Sequence, residues 1–157
     1  MKKLFLFALL FSGLLVGCQD ENTPVPQTAR EMLSAHPWVR TAVTQEKDAN
    51  PTEDVFATMH PCERDDIYQF RADGTYTITE GKRDCQNYFT IGIGSWQLAD
   101  DGKSMLRVTR YSMPQGEFDH TLTVTIDALT PGHLIVSESE MTIDQELITT
   151  HTTFAAQ

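Results

Sequence analysis

A chain of 157 residues with 40% hydrophobic content is long enough for one domain with its own core, and too short for two once its N-terminal segment is set aside. Acidic residues outnumber basic ones 22 to 12, and the net charge of −10 repels polyanions, which argues against a DNA or RNA partner. Three cysteines, an odd number, leave at least one without a partner inside the chain.

Residues 1–17 have the plan of a secretory signal peptide. Lys2 and Lys3 are followed by an apolar run from Leu4, and a break at Ser12-Gly13 leaves that run short for a bilayer span. The end of the segment, Leu15-Val16-Gly17-Cys18, resembles the bacterial lipobox. The resemblance implies a diacylglycerol on the Cys18 sulfur, cleavage before Cys18 and acylation of the freed amine. Several acyl chains anchor a protein stably where one is marginal, at about 0.8 kcal/mol per buried CH₂. The membrane is thus an expected partner, reached through lipid on Cys18.

Residues 18–27 are expected to be the lipidated cysteine and a flexible tether, polar with Pro24 and Pro26. Gln19-Asp20-Glu21 resembles the short acidic signals that send lipoproteins to the outer surface in the Bacteroidota. The expected location is the outer membrane, facing the periplasm or the cell surface.

The domain proper is expected over 28–157. Thr28 and Glu31 have capping-box spacing, and Met32, Leu33 and Ala35 give a short apolar face. Pro37 ends this helix, because it disfavours a helical residue before it. Trp38 to Val43 then alternates as a strand. Residues 67–70 (IYQF) and 75–79 (TYTIT) flank Asp73-Gly74, a strong hairpin signal. Further runs occupy 91–98, 105–112, 120–129, 133–139 and 145–154, separated by turn chemistry at 100–102, 113–117 and 131–132. Eight strands with short connections and no strand-helix alternation predict an all-β fold, an antiparallel up-and-down barrel closed to remove its edges.

Parity groups the strand residues by face: Tyr68 with Phe70, Tyr76 with Ile78, Trp96 with Leu98, Leu106 with Val108, and Leu122, Val124 and Ile126 together. Threonines at many alternate positions suit a solvated outer face. An eight-stranded barrel is wide enough to be filled by side chains or to hold one small ligand.

Assigning Cys18 to lipid leaves Cys62 and Cys85. An exported compartment permits disulfides and the remainder is even, which suggests a bridge worth roughly 3 kcal/mol. Five histidines without close pairing, and no Cys-x-x-Cys, argue against a metal site. No cofactor is expected.

As a set, Cys62-x-x-Asp65-Asp66-x-Tyr68-x-Phe70, Asp73-Gly74-Thr75-Tyr76, Cys85 and Gly94-x-Trp96-x-Leu98 resemble the lipocalin-like domain common in Bacteroidota lipoproteins. The likeness spans about residues 36–155. It implies an eight-stranded barrel, a bridge between Cys62 and Cys85, and Trp38 closing the barrel base from the first strand. His36 stands where the lipocalin Gly-x-Trp motif has glycine. By analogy it also implies binding of a small hydrophobic ligand.

The candidate ligand-binding residues are Trp38, Tyr68, Phe70, Tyr76, Trp96 and His120. The aromatics could line an apolar cavity or form plain core, and His120 shares parity with Leu122 and Val124. Asp65-Asp66 could carry acid-base chemistry or cap a turn, with Arg64 and Arg71 as partners. No nucleophile motif such as Gly-x-Ser-x-Gly supports catalysis, so no enzyme is expected. Two functions follow: a membrane-anchored monomer binding a small hydrophobic ligand, or an interaction module, such as an accessory subunit or an inhibitor of a basic enzyme like lysozyme, working through its acidic exterior.

Overall fold

The computed structural model describes residues 27–48, 50, 52–83, 92–113 and 116–157. The signal peptide, Cys18, nearly all of the tether and Cys85 lie outside the described residues.

The chain begins with α1 (Ala29–Ala35), opened by the expected capping box. The Glu31 carboxylate accepts from the Thr28 backbone N–H at 2.7 Å, and Thr28 Oγ1 accepts from the Glu31 N–H at 3.2 Å. The Thr28 backbone N–H, and after it the Thr28 hydroxyl donating to the same carboxylate at 3.0 Å, hold the Glu31 carboxyl below its ordinary value of 4.5. A carboxyl depressed by folding stabilises the fold above its unfolded value, and that contribution is lost as pH falls through the folded one. We therefore expect α1 to fray below pH 4.5. Tryptophan fluorescence should report it, since α1 touches both Trp38 and Trp96, and Thr28→Val should flatten the transition.

Among the described residues nine strands follow: β1 (Trp38–Lys47), β2 (Glu53–Asp54), β3 (Ile67–Phe70), β4 (Thr75–Thr79), β5 (Gly92–Leu98), β6 (Ser104–Met113), β7 (Gly116–Leu129), β8 (His133–Met141) and β9 (Leu147–Ala156). Eight of them close an antiparallel, lipocalin-like barrel, with β3 to β9 each beside its chain neighbour and β9 returning to β1. The ninth, β2, is a two-residue addition to the edge of β1, pairing Thr44 with Asp54 and Gln45 with Glu53. Its polar pair carries no apolar alternation, which is why the sequence pattern does not reveal it.

Closure is uneven. β1 and β9 pair from Trp38↔Ala156 to Lys47↔Ile148, with a bulge between Arg40 and Ala42. On its other side β1 meets β3 only at Trp38↔Tyr68 and Val39↔Ile67 before turning to β2 at Thr44. The ladder on that side is interrupted between Val39 and Thr44.

The hairpins behave as their residues demand. Gly74 takes φ +88°, and Asp73 Oδ1 accepts from the Thr75 N–H at 2.9 Å and its hydroxyl at 2.7 Å. The base of the barrel is packed solid: Trp38, Leu33, Phe70, Tyr76, Trp96, Met105, Leu134 and Phe154 are all buried. α1 lies across this end. Trp38 Nε1 donates to the Leu33 carbonyl at 2.9 Å, and Arg30 lies over the Trp96 ring at 4.7 Å while donating to the Ala72 carbonyl. Among the described residues no helix is long and apolar enough to cross a membrane.

Every parity group shares a face; on β3, β4, β5 and β7 it is the inner one, and on β6 it is the outer one. Leu106 is 40% exposed, whereas Met105 and Thr109 are buried. Register decides this: Met105 pairs with Leu98 and Val124, so Met105, Arg107 and Thr109 share the inner face. Leu106 and Val108 therefore belong to the outer face, and Thr109 does not.

Candidate functional site: a polar chamber in the barrel

Burial on β7 falls from base to top. Val124 is 1% exposed, Leu122 is partly buried, and His120 and Phe118 on the same face are exposed. The closed base is dry core, so the space able to take a ligand lies above it.

Two spaces that share wall residues occupy that upper half. An inner chamber of about 80 Å³ is walled by Arg40, Tyr68, Arg107, Glu138, Thr150 and Thr152, with Val124, Val136 and Phe154 beneath. A vestibule of about 210 Å³ is lined by Arg40, Met59, Glu63, Asp66, Tyr68, Ile78 and Tyr111. Arg40 and Tyr68 are common to both, and they sit where the β1–β3 ladder stops.

Each polar wall residue is delivered by strand register. The β1 bulge turns Arg40 toward Tyr68: one guanidinium nitrogen donates to the Tyr68 hydroxyl, the other to the Glu63 carbonyl at 3.1 Å. Arg107 pairs with Trp96 and Leu122 and so projects inward. Glu138 follows Leu134 and Val136 on one face of β8 and sits opposite Thr150. Burial pushes the Tyr68 phenol above its usual range, offset by Arg40 and Arg107, and burial likewise raises Tyr76, offset by Arg107. Both hydroxyls therefore remain protonated donors.

Some of these groups are unsatisfied. Arg107 Nε and Glu138 Oε2, both in the wall of the inner chamber, are buried without a hydrogen-bond partner among the described residues, as is the Tyr76 hydroxyl in the packed base. Buried polar atoms are normally paired, so such atoms facing a cavity mark where a bound molecule or water would sit. The ion pairs among the described residues, Lys47–Glu146, Arg110–Asp119 and Asp127–His151, involve neither Arg107 nor Glu138.

The six residues picked from sequence separate accordingly. Tyr68 lines both spaces; Trp38, Phe70, Tyr76 and Trp96 belong to the packed base; His120 is exposed on the upper part of β7. Within the base, Phe70 stacks on Tyr76 at 5.7 Å and meets Trp96 edge-on at 5.5 Å. Arg40, Arg107 and Glu138 were missed. The available signal was parity: Glu138 continues the inward series of Leu134 and Val136.

The acidic pair divides: Asp66 is buried in the vestibule wall, and Asp65 ties the chain together. Asp65 Oδ2 accepts from the Lys82 and Arg83 N–H groups at 2.8 and 3.1 Å, tying the β1–β3 connection to the segment after β4. Arg64 does not partner the pair, donating instead to the Met59 and Ala57 carbonyls. Cys62 is buried beside His60, 2.9 Å from its Nδ1. Among the described residues no three His, Cys, Asp or Glu side chains group as metal ligands. A separate groove of about 430 Å³ lies on the outer wall, between Thr75, Thr77, Ile93, Ser95 and the Arg110–Asp119 pair.

Comparison with curated proteins gives no match. Among solved structures, bovine odorant-binding protein with a selenium-containing odorant is 15% identical, covers 87% of this chain and 77% of its own, and has a TM-score of 0.42. The same bovine protein with undecanal is 14% identical, with 86% and 77% covered and a TM-score of 0.43. By sequence, residues 17–154 match a family described as a domain of unknown function, DUF5004. That match takes in every strand of the barrel but the last two residues of β9, and the chain belongs to this family.

Proposed function

We propose that this protein is a lipid-anchored outer-membrane lipoprotein, displayed to the periplasm or the cell surface, whose barrel holds a small, largely hydrophobic molecule in its upper half. The observation that carries the binding reading is the inner chamber: it shares Arg40 and Tyr68 with the vestibule, and its wall presents buried polar atoms lacking partners. Protein interiors seldom leave such atoms idle. A filled interior would have favoured the alternative, an interaction module acting through its acidic exterior.

The anchor reading rests on the lipobox-like stretch ending at Cys18. Disulfide bonding of Cys62 supports the proposed bridge to Cys85, which would join the β1–β3 and β4–β5 connections above the chamber. The aromatic base keeps its place in this proposal as the floor, with Tyr68 as the aromatic that reaches the ligand.

Mass analysis of the protein isolated from its host's membranes tests these parts together. The expected result is an N-terminal acylated Cys18, a non-reduced peptide joining Cys62 to Cys85, and a small molecule carried through native ionisation. An unmodified Cys18 overturns the anchor, free thiols overturn the bridge, and a bare protein mass with a co-purifying protein partner overturns ligand binding.

A further inference from the structure

The chamber also constrains the chemistry of its occupant. Arg107 Nε is a donor without an acceptor, and Glu138 Oε2 is an acceptor without a donor, both buried in the wall of one small space. No ion pair joins them among the described residues. Arg40 is already committed to Tyr68 and to the Glu63 carbonyl, so it fixes the wall and leaves Arg107 as the guanidinium available to a ligand.

Charge adds direction. The inner chamber sets Arg40 and Arg107 against one carboxylate, while the vestibule sets Arg40 alone against Glu63 and Asp66. An anionic group is therefore favoured at the inner end and disfavoured at the mouth. A plain carboxylate would pair with Arg107 and leave Glu138 facing a like charge with no donor. A plain alcohol would satisfy Glu138 and offer Arg107 a neutral oxygen in place of a carboxylate, forgoing the pairing of two opposite charges. A head carrying both functions satisfies both walls. Met59, Ile78 and Tyr111 give the vestibule an apolar side along which a tail can leave.

We propose that the chamber takes an amphipathic acid bearing a hydrogen-bond donor beside its carboxylate, a hydroxy or acylamino acid, with carboxylate on Arg107, donor on Glu138 and tail toward the vestibule. This rests on the reading of the barrel interior as a binding site.

Isothermal titration of the whole protein in amphipol, with 3-hydroxyoctanoate, octanoate and 1-octanol, tests it. We expect 3-hydroxyoctanoate to bind about tenfold or more tightly than either analogue, since octanoate leaves Glu138 without a donor and 1-octanol offers Arg107 only a neutral acceptor. Arg107→Met should bring 3-hydroxyoctanoate down to the level of 1-octanol, and Glu138→Met should bring it down to that of octanoate. Neither variant should unfold the barrel, because an apolar side chain of similar length replaces a charge that lacks a partner; if one does, the ranking on the unmodified protein decides. Equal affinities for all three overturn the head-group assignment while leaving the binding reading in place. Binding of none of the three, together with a host-purified protein that carries no small molecule, overturns both.

Discussion

Trp38→Ala should remove about 4 kcal/mol from the free energy of unfolding, the range for truncating a fully buried large aromatic. Trp38 is 0% exposed and holds three parts of the molecule at once. Its backbone pairs with Tyr68 on β3 and Ala156 on β9, and its indole N–H donates to the Leu33 carbonyl of α1. Alanine empties the floor of the barrel and also leaves a helix-end carbonyl without its donor. Trp38→Phe refills most of that volume without the hydrogen bond, and should cost about half as much, part cavity and part lost bond. Urea unfolding followed by circular dichroism measures both. A loss below about 1.5 kcal/mol for the alanine variant would show that the base repacks around the gap, which cores rarely manage.

The second large effect is expected at Gly94, in the middle of β5. A Cβ there would stand 1.9 Å from the Val108 carbonyl oxygen and 3.0 Å from Cε1 of Tyr76. The first contact is with backbone, which no rotamer change relieves, so Gly94→Ala must push β5 away from β6. We expect a loss of about 3 kcal/mol, the upper part of the overpacking range. Gly132, in the β7–β8 turn, has nothing within 4 Å of the same position. Gly132→Ala is the matched control and should be neutral within about 0.5 kcal/mol. Thermal melts of the pair separate a steric demand at Gly94 from a general cost of replacing glycine.

Much of this architecture was legible in the sequence because local chemistry dictates it. The capping box at Thr28 and Glu31, the Asp73-Gly74 hairpin and the eight alternating runs each declare themselves within a few residues. The face of β6 was not legible. Alternation gives a period without a sign, and only pairing with Leu98 and Val124 shows that Met105 and Arg107 point inward. The site suffered from the same ambiguity. In one sequence an arginine between leucine and valine reads as a solvated outer residue, because its apolar neighbours Leu106 and Val108 claim the inner face. The aromatics drew attention as cavity walls because their size suits either role, and the closed base claimed Trp38, Phe70, Tyr76 and Trp96. His120 was placed on the correct face, but burial fades along β7 before reaching it.

The interrupted ladder beside β1 has a mechanical consequence. One flank of this strand is zipped to β9 from Trp38 to Lys47, while the other is fastened to β3 by the rungs at Trp38 and Val39. Forces that part the wall act first where fewest backbone bonds resist them. A strand held so unequally is expected to part first on that flank, between Val39 and the β2 rung at Thr44, where the Arg40 side chain spans to Tyr68 in place of backbone bonds. Opening the wall there would require the parting of a short seam rather than the unfolding of a sheet.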